Sequence, residues 1–171
     1  MLDLGMETVF SSLGIGSQQL FIILEVIVAM VLGGVIGYDR QLADKPAGFR
    51  THMLVAGAAA LFVGLGNLAV AKFHAAFADT TVRSDPIRLF EAIITGVSFL
   101  GAGTIIRRSV GNRVEGITTA ASLLFTAAIG ATIGLAEWFL GVVLTLIVFG
   151  ILHLARRFKH YPTDSEQTQK T

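Results

Sequence analysis

The chain has 171 residues, of which 53% are hydrophobic and 15% charged, and its formal net charge is +1. Together with a mean hydropathy of +0.71, this composition excludes an ordinary soluble domain and predicts a membrane protein. The near-neutral charge gives no basis for a nucleic-acid partner, and the absence of cysteine excludes disulfides and thiolate catalysis.

Five apolar segments are predicted to cross the lipid bilayer as helices, because about 20 apolar residues span roughly 30 Å of hydrocarbon. In chain order they cover residues 19–38, 51–71, 89–106, 117–136 and 138–155. Residues 1–18 are predicted to form an external N-terminal arm, and residues 156–171 a cytoplasmic tail. The expected fold is therefore an all-α bundle of five transmembrane helices.

The positions of lysine and arginine predict the orientation of this bundle. With the N-terminus outside, the cytoplasmic segments hold ten of these residues and the external segments hold three. Positive residues are enriched on the cytoplasmic side of membrane proteins. We therefore expect the N-terminus outside and the C-terminus in the cytoplasm.

Residues 96–121 contain two motifs rich in small residues, FLGAG and GITTAA, separated by a short linker with three arginines. In a membrane, small residues allow helices to approach closely. We predict two helices joined by a tight cationic turn, with both motifs in a close-packed junction with the first two spans. A bulky side chain at Gly101 or Gly103 is expected to disrupt this packing.

Several polar residues lie inside the predicted spans, where an ionised carboxylate is costly unless it is paired, hydrated or protonated. Two interpretations stay open: hydrogen bonding between helices, or an intramembrane site for a cation or proton. The pattern does not identify a metal. The residues of this possible intramembrane polar site are Glu25, Asn67, Glu91, Thr95, Ser98, Ser122 and Thr126.

Charged residues at the predicted helix ends suggest two local structures. Asp39 is expected either to pair with Arg40 or Arg50 and link the first two spans, or to leave both arginines free for lipid headgroups. Asp85 is expected to cap a helix that begins at Pro86. Three histidines, His74, His153 and His160, are isolated in the sequence, which argues against a histidine metal site.

Five segments together resemble a known family. They are GYDRQLADKPAGFRTHMLV, DPIR, GVSFLGAGTI, GITTAA and AAIG, which occur in this order between Glu25 and Gly134. Their combination closely resembles the MgtC/SapB family of bacterial inner-membrane proteins. The resemblance implies five transmembrane helices and a multi-pass location in the bacterial inner membrane. It also implies a short form, because many members carry a soluble C-terminal domain.

The resemblance further implies a functional motif and a function. It implies a regulator, linked to adaptation to low magnesium and to virulence-type stress, that binds other inner-membrane proteins, including the ATP synthase. No cofactor is implied, and the small-residue faces favour a homo-oligomer, with a dimer preferred. The motif positions are Asp39, Arg40, Arg50, Thr51, Asp85, Arg88, Phe99, Gly101, Gly103, Thr118 and Thr119.

The alternative function is a transporter or channel for a magnesium-type cation or a small solute, favoured by the polar residues inside the spans. Five spans do not divide into the inverted repeats that many transporters use. Motifs such as GxSxG, HExxH and a phosphate loop followed by lysine are absent from the sequence. We therefore expect no enzyme and no catalytic residue.

Overall fold

The structure is a computed structural model that describes residues 16–76, 85–107 and 114–158. This part of the chain contains five helices, as predicted, and a small hairpin that was not predicted. The elements are α1 (Ser17–Leu42), α2 (Phe49–Ala76), α3 (Pro86–Gly103), β1 (Ile106–Arg107), β2 (Val114–Glu115), α4 (Ile117–Gly134) and α5 (Trp138–Phe158).

Four of these helices are long and apolar enough to cross a membrane, namely α1, α2 over Phe49–Phe73, α3 and α4. The apolar part of α5, Trp138–Leu154, is shorter. The predicted arm and tail lie largely outside the described residues, as do Arg108, Arg113 and His160. The helix α5 itself continues to Phe158, past the predicted end of the fifth span at residue 155.

The third helix is displaced at both ends from its predicted bounds of 89–106. It begins earlier, at Pro86, because the Asp85 side chain accepts a hydrogen bond from the Ile87 backbone N–H at 3.1 Å. This confirms the predicted cap. It ends at Gly103, where the Thr104 hydroxyl donates to the Gly101 carbonyl at 2.7 Å. The chain then enters β1.

The β-hairpin joins α3 to α4 and depends on one glycine. β1 and β2 are antiparallel, with Ile106 opposite Glu115. Gly116 follows β2 at φ 96°, and a Cβ atom there would overlap the Thr104 carbonyl. Only glycine combines this left-handed conformation with so close an approach. The predicted cationic turn is thus a specific hairpin that fixes where α4 begins.

α4 is the central helix of the bundle, since it contacts all four other helices. The most extensive contact of all is between α1 and α2. Glycines bring these helices together: a Cβ at Gly33 would lie 2.6 Å from the His52 carbonyl, and one at Gly130 would overlap the Ala56 carbonyl. The result is an apolar centre formed by Ala29, Ala56, Ala60 and Ile133.

The bundle has two ends, which we name by their connections. The hairpin end contains the β-hairpin, the end of α1 at Asp39 and the start of α2 at Phe49. The far end contains the start of α1 at Ser17 and the connection from α4 to α5. That connection is closed by hydrogen bonds from Ala136 N–H to the Ile133 carbonyl and from Glu137 N–H to the Thr132 carbonyl. They form a Schellman motif in which Ala136 takes the usual glycine position, at φ 62°.

Candidate functional site

A group of buried polar residues lies at the hairpin end, where α1, α2 and α4 meet. We call it the hairpin-end cluster; its members are Asp39, Arg40, His52, Thr119 and Ser122. Its position follows from the sequence pattern, because the small residues of α1, Ala29, Gly33 and Gly37, lie on one face and allow α2 to come close. The polar side chains that follow this face are then enclosed as well.

His52 links α2 to α4 and is fully buried. Its Nδ1 lies 3.0 Å from the Gly48 carbonyl, and because a carbonyl can only accept, Nδ1 is the donor. Its Nε2 lies 3.1 Å from the Ser122 hydroxyl, which also lies 2.8 Å from the Thr119 carbonyl. The single Ser122 proton can serve one of these two acceptors at a time. His52 therefore holds the two helices at a defined register.

Asp39 links α1 to α5, and of the two arginines predicted as its partners it interacts electrostatically with Arg40, which lies beside it on α1 and so does not link α1 to α2. One carboxylate oxygen of Asp39 lies 3.5 Å from Arg156 Nη1 and 3.5 Å from His153 Nδ1. The prediction that His153 is isolated is therefore wrong. No local pattern in the sequence signals this contact, because more than a hundred residues separate its partners.

Arg40 is the most unusual member of the cluster, since only 4% of it is exposed. It interacts electrostatically with Asp39 and His52. Within the described part of the chain, three buried atoms have no hydrogen-bond partner: Arg40 Nε, Asp39 Oδ2 and Thr119 Oγ1. Unsatisfied buried polar atoms are costly. The cluster is thus a charged, incompletely satisfied site at one end of a membrane bundle.

The other motif positions implied by the family resemblance do not join this cluster. Arg50, Thr51 and Thr118 are exposed near it. Asp85 and Arg88 form an exposed ion pair of 3.5 Å at the far end. Since exposed pairs contribute little to stability, the structural role of Asp85 is the cap on α3.

The FLGAG motif packs less closely than predicted. A Cβ at Gly101 would lie 3.2 Å from the Ala120 Cβ, so this glycine does bring α3 against α4. At Gly103, no atom lies within 4 Å of such a Cβ, so the packing role predicted for it within the chain is wrong. Phe99 is 81% exposed. Val97 and Gly101 are the buried residues of α3, and the partly buried Ile93 also packs against the core.

The seven residues of the possible intramembrane polar site fall into three separate places. Ser122 and Thr126 are buried in α4, and the Thr126 hydroxyl donates to the Ser122 carbonyl at 2.8 Å. Glu91, Thr95 and Ser98 are exposed on α3. Glu25 and Asn67 come together from two different helices.

Glu25 and Asn67 line one cavity of about 230 Å³ at the far end, which we call the far-end cavity. Gln18 on α1 also lines it, and the end of α4 from Gly134 to Ala136 contributes to its wall. Sequence reasoning missed Gln18, although it lies seven residues before Glu25 and so on the same helical face. No group of three or more His, Cys, Asp or Glu residues suited to a metal occurs among residues 16–76, 85–107 and 114–158.

The fold and these sites define a multi-pass helical membrane protein with polar groups enclosed at both ends of its bundle. Residues 26–161 match the MgtC family model. The chain belongs to the MgtC family and is a multi-pass protein of the bacterial inner membrane.

Individual relatives agree with this assignment. YhiD of Escherichia coli strain K12, whose name describes a candidate magnesium transporter, is 40% identical over 77% of this chain and 60% of its own length. SrpB of Synechococcus elongatus is 42% identical over 68% of this chain and 65% of its own length. MgtC of Salmonella typhimurium is 36% identical over 84% of this chain and 58% of its own length.

The chain thus spans about 60% of the length of the curated relatives it matches. No solved structure matches the chain.

Proposed function

We propose that this protein is a regulator of the MgtC type, linked to magnesium adaptation and to virulence-type stress, that acts by binding other membrane proteins. The observation that carries this proposal is the outer face of α3. This face consists of Arg88, Glu91, Thr95, Ser98 and Ala102, and all five residues are exposed.

An exposed polar side chain costs more free energy on a membrane helix, where it faces lipid, than on a helix that faces water. Glu91, Thr95 and Ser98 face outward from the bundle, where lipid offers no hydrogen-bond partner. A carboxylate in the membrane costs several kcal/mol unless it is paired or reaches water. A partner helix that covers the outer face of α3 can pack closely against its small residues and also provide hydrogen-bond partners for its polar side chains.

The partner in this proposal is a helix of another inner-membrane protein, with the ATP synthase as one candidate by family resemblance. A second copy of the chain is the other candidate, since Arg88 and Glu91 lie one turn apart and are complementary across a two-fold axis. With the N-terminus outside, ten lysines and arginines lie in cytoplasmic segments and three in external segments, and this excess favours that orientation. The hairpin end then lies in the cytoplasm.

Site-specific photocrosslinking in cells tests this proposal. A photoreactive amino acid replaces Ser98 on the outer face of α3, and the control replaces Val31, which is exposed on α1. We expect a crosslinked protein band from position 98 and none from position 31. A band of twice the chain's mass identifies self-association, and a different mass identifies another protein. Crosslinks only to lipid at both positions contradict the proposal.

Transport of a magnesium-type cation or a small solute is the second candidate function, and the Glu25 carboxylate at the far-end cavity favours a cation over a neutral solute. Against it, the apolar centre of Ala29, Ala56, Ala60 and Ile133 lies between that cavity and the hairpin-end cluster. Cation flux into proteoliposomes that disappears in Glu25→Gln, but persists in Glu91→Gln, supports transport. Absence of flux with intact partner crosslinking supports the regulator.

A further inference from the structure

The far-end cavity is partly open, and it contains a carboxylate that has no hydrogen-bond or ion-pair partner among the described residues. Only 9% of Glu25 is exposed, and it makes no hydrogen bond or ion pair with any residue in the described part of the chain. Lys72 lines an adjacent recess with Gln18 and Leu68, and it does not line this cavity. A buried carboxylate requires a compensating cation, hydrogen-bond donors or a proton.

The polar groups around Glu25 include oxygen donors, whereas the rest of the cavity wall is largely apolar and includes Phe21, Ile22 and Leu68. Gln18 and Asn67 bring two carboxamide oxygens to the cavity wall. The C-terminal end of α4 brings backbone carbonyls, and Gly134, Leu135 and Ala136 receive no backbone N–H in the hydrogen bonds of the described chain. These carbonyls also form the negative end of the α4 helix dipole. Every one of these features favours a positive ligand.

We propose that the far-end cavity binds a hydrated monovalent cation of the sodium type, held by the Glu25 carboxylate, the Gln18 and Asn67 carboxamides and the C-terminal carbonyls of α4. This inference does not depend on the proposed regulatory function, since the cavity is lined by residues of α1, α2 and the end of α4, and none of them belongs to the outer face of α3.

The charge and size of the cavity select this class of cation. One carboxylate balances one positive charge, whereas a divalent ion bound beside this single carboxylate keeps an uncompensated charge. Magnesium prefers octahedral geometry with carboxylates and retained waters, and sites for calcium use several charged oxygens. The volume of about 230 Å³ exceeds that of a bare ion. At roughly 30 Å³ per water, it accommodates a cation with several of its waters.

Binding of radioactive sodium to the full chain in lipid nanodiscs tests the proposal, with N-methylglucamine replacing sodium at constant ionic strength. We expect saturable binding of about one sodium per chain. Glu25→Gln removes the charge at nearly constant volume and is expected to weaken binding about tenfold or more. Glu91→Gln is the matched control, because the same change on exposed Glu91 leaves the cavity intact.

Two further variants keep the test decisive if Glu25→Gln fails to fold. Asn67→Leu and Gln18→Leu change exposed residues that line the cavity, and each is expected to weaken sodium binding severalfold. No sodium binding to the unaltered chain overturns the proposal and indicates a protonated Glu25 or a Lys72 counterion. Equal binding in the unaltered chain and the cavity variants also overturns it. Displacement of sodium by a much lower concentration of magnesium overturns the monovalent assignment.

Discussion

Helices α3 and α4 are both 18 residues long, are connected by one hairpin and are both rich in glycine, alanine, serine and threonine. Yet only 6% of the residues in the apolar window of α3 are buried within the chain, compared with 56% of those in α4. α4 contacts every other helix, whereas α3 packs mainly against α4 and only slightly against α2. Small residues therefore permit close packing, but the position of a helix in the bundle decides whether its neighbours belong to the same chain.

The same comparison separates two uses of polar residues in a membrane. On α4, Ser122 and Thr126 have their hydrogen-bond partners inside the chain. On α3, Thr95 and Ser98 are exposed. The buried residues stabilise the bundle, and the exposed ones are available to another protein.

The largest expected effect is that of Gly130→Ala in α4. The new Cβ overlaps the Ala56 carbonyl, and backbone cannot move aside as a side chain can, so we expect a loss of about 3 kcal/mol in stability. The matched variant, Gly96→Ala in α3, has open space around its Cβ and is expected to change stability by less than about 0.5 kcal/mol.

Apparent melting temperatures of the detergent-solubilised variants, followed by size-exclusion chromatography, measure this difference. A Gly130→Ala protein as stable as the unaltered chain contradicts the contact between α2 and α4. A strongly destabilised Gly96→Ala protein shows instead that another helix packs against Gly96 in the solubilised protein.

An intermediate effect is expected from Ser122→Ala, which removes the hydroxyl bonded to His52 Nε2. It leaves a buried ring nitrogen without its partner, at a cost of about 1–3 kcal/mol. Ser98→Ala is the control on α3, where the exposed hydroxyl has little effect on the folded monomer. Equal melting temperatures for the two variants argue against the link between His52 and α4.

The smallest expected effect is that of Phe99→Ala. Because this side chain is 81% exposed, its removal is expected to change the stability of the monomer by less than about 0.5 kcal/mol. Monomer stability is measured with the protein at low concentration in excess detergent, where associated copies separate. A loss of several kcal/mol in the dilute monomer indicates that α3 packs more tightly than described.

Much of the fold follows from local patterns in the sequence. The apolar segments predicted five helices because hydrocarbon demands continuous backbone hydrogen bonding. Asp85 and Pro86 predicted the start of α3, and the small residues of the FLGAG motif predicted the close approach at Gly101. Each of these signals lies within a few residues of the feature it predicts.

The errors arose where the partner is distant in the chain. Arg156 was assigned to a tail, yet α5 returns it to Asp39. Gly103 resembles Gly101 in sequence, but only Gly101 faces Ala120, because residues two apart on a helix point in different directions. The hairpin required Gly116 at positive φ, and a glycine in a sequence does not state its own conformation.

By itself, the sequence determined that this protein is a bundle of membrane helices with small-residue faces and a few intramembrane polar groups, since length, apolarity and periodicity are properties of the chain alone. The tertiary structure decided that Glu25 and Asn67 share a cavity, that His52 joins α2 to α4, and that Glu91 faces outward. The reason is physical: helical periodicity defines the face of a residue, whereas the packing of whole helices decides what that face meets.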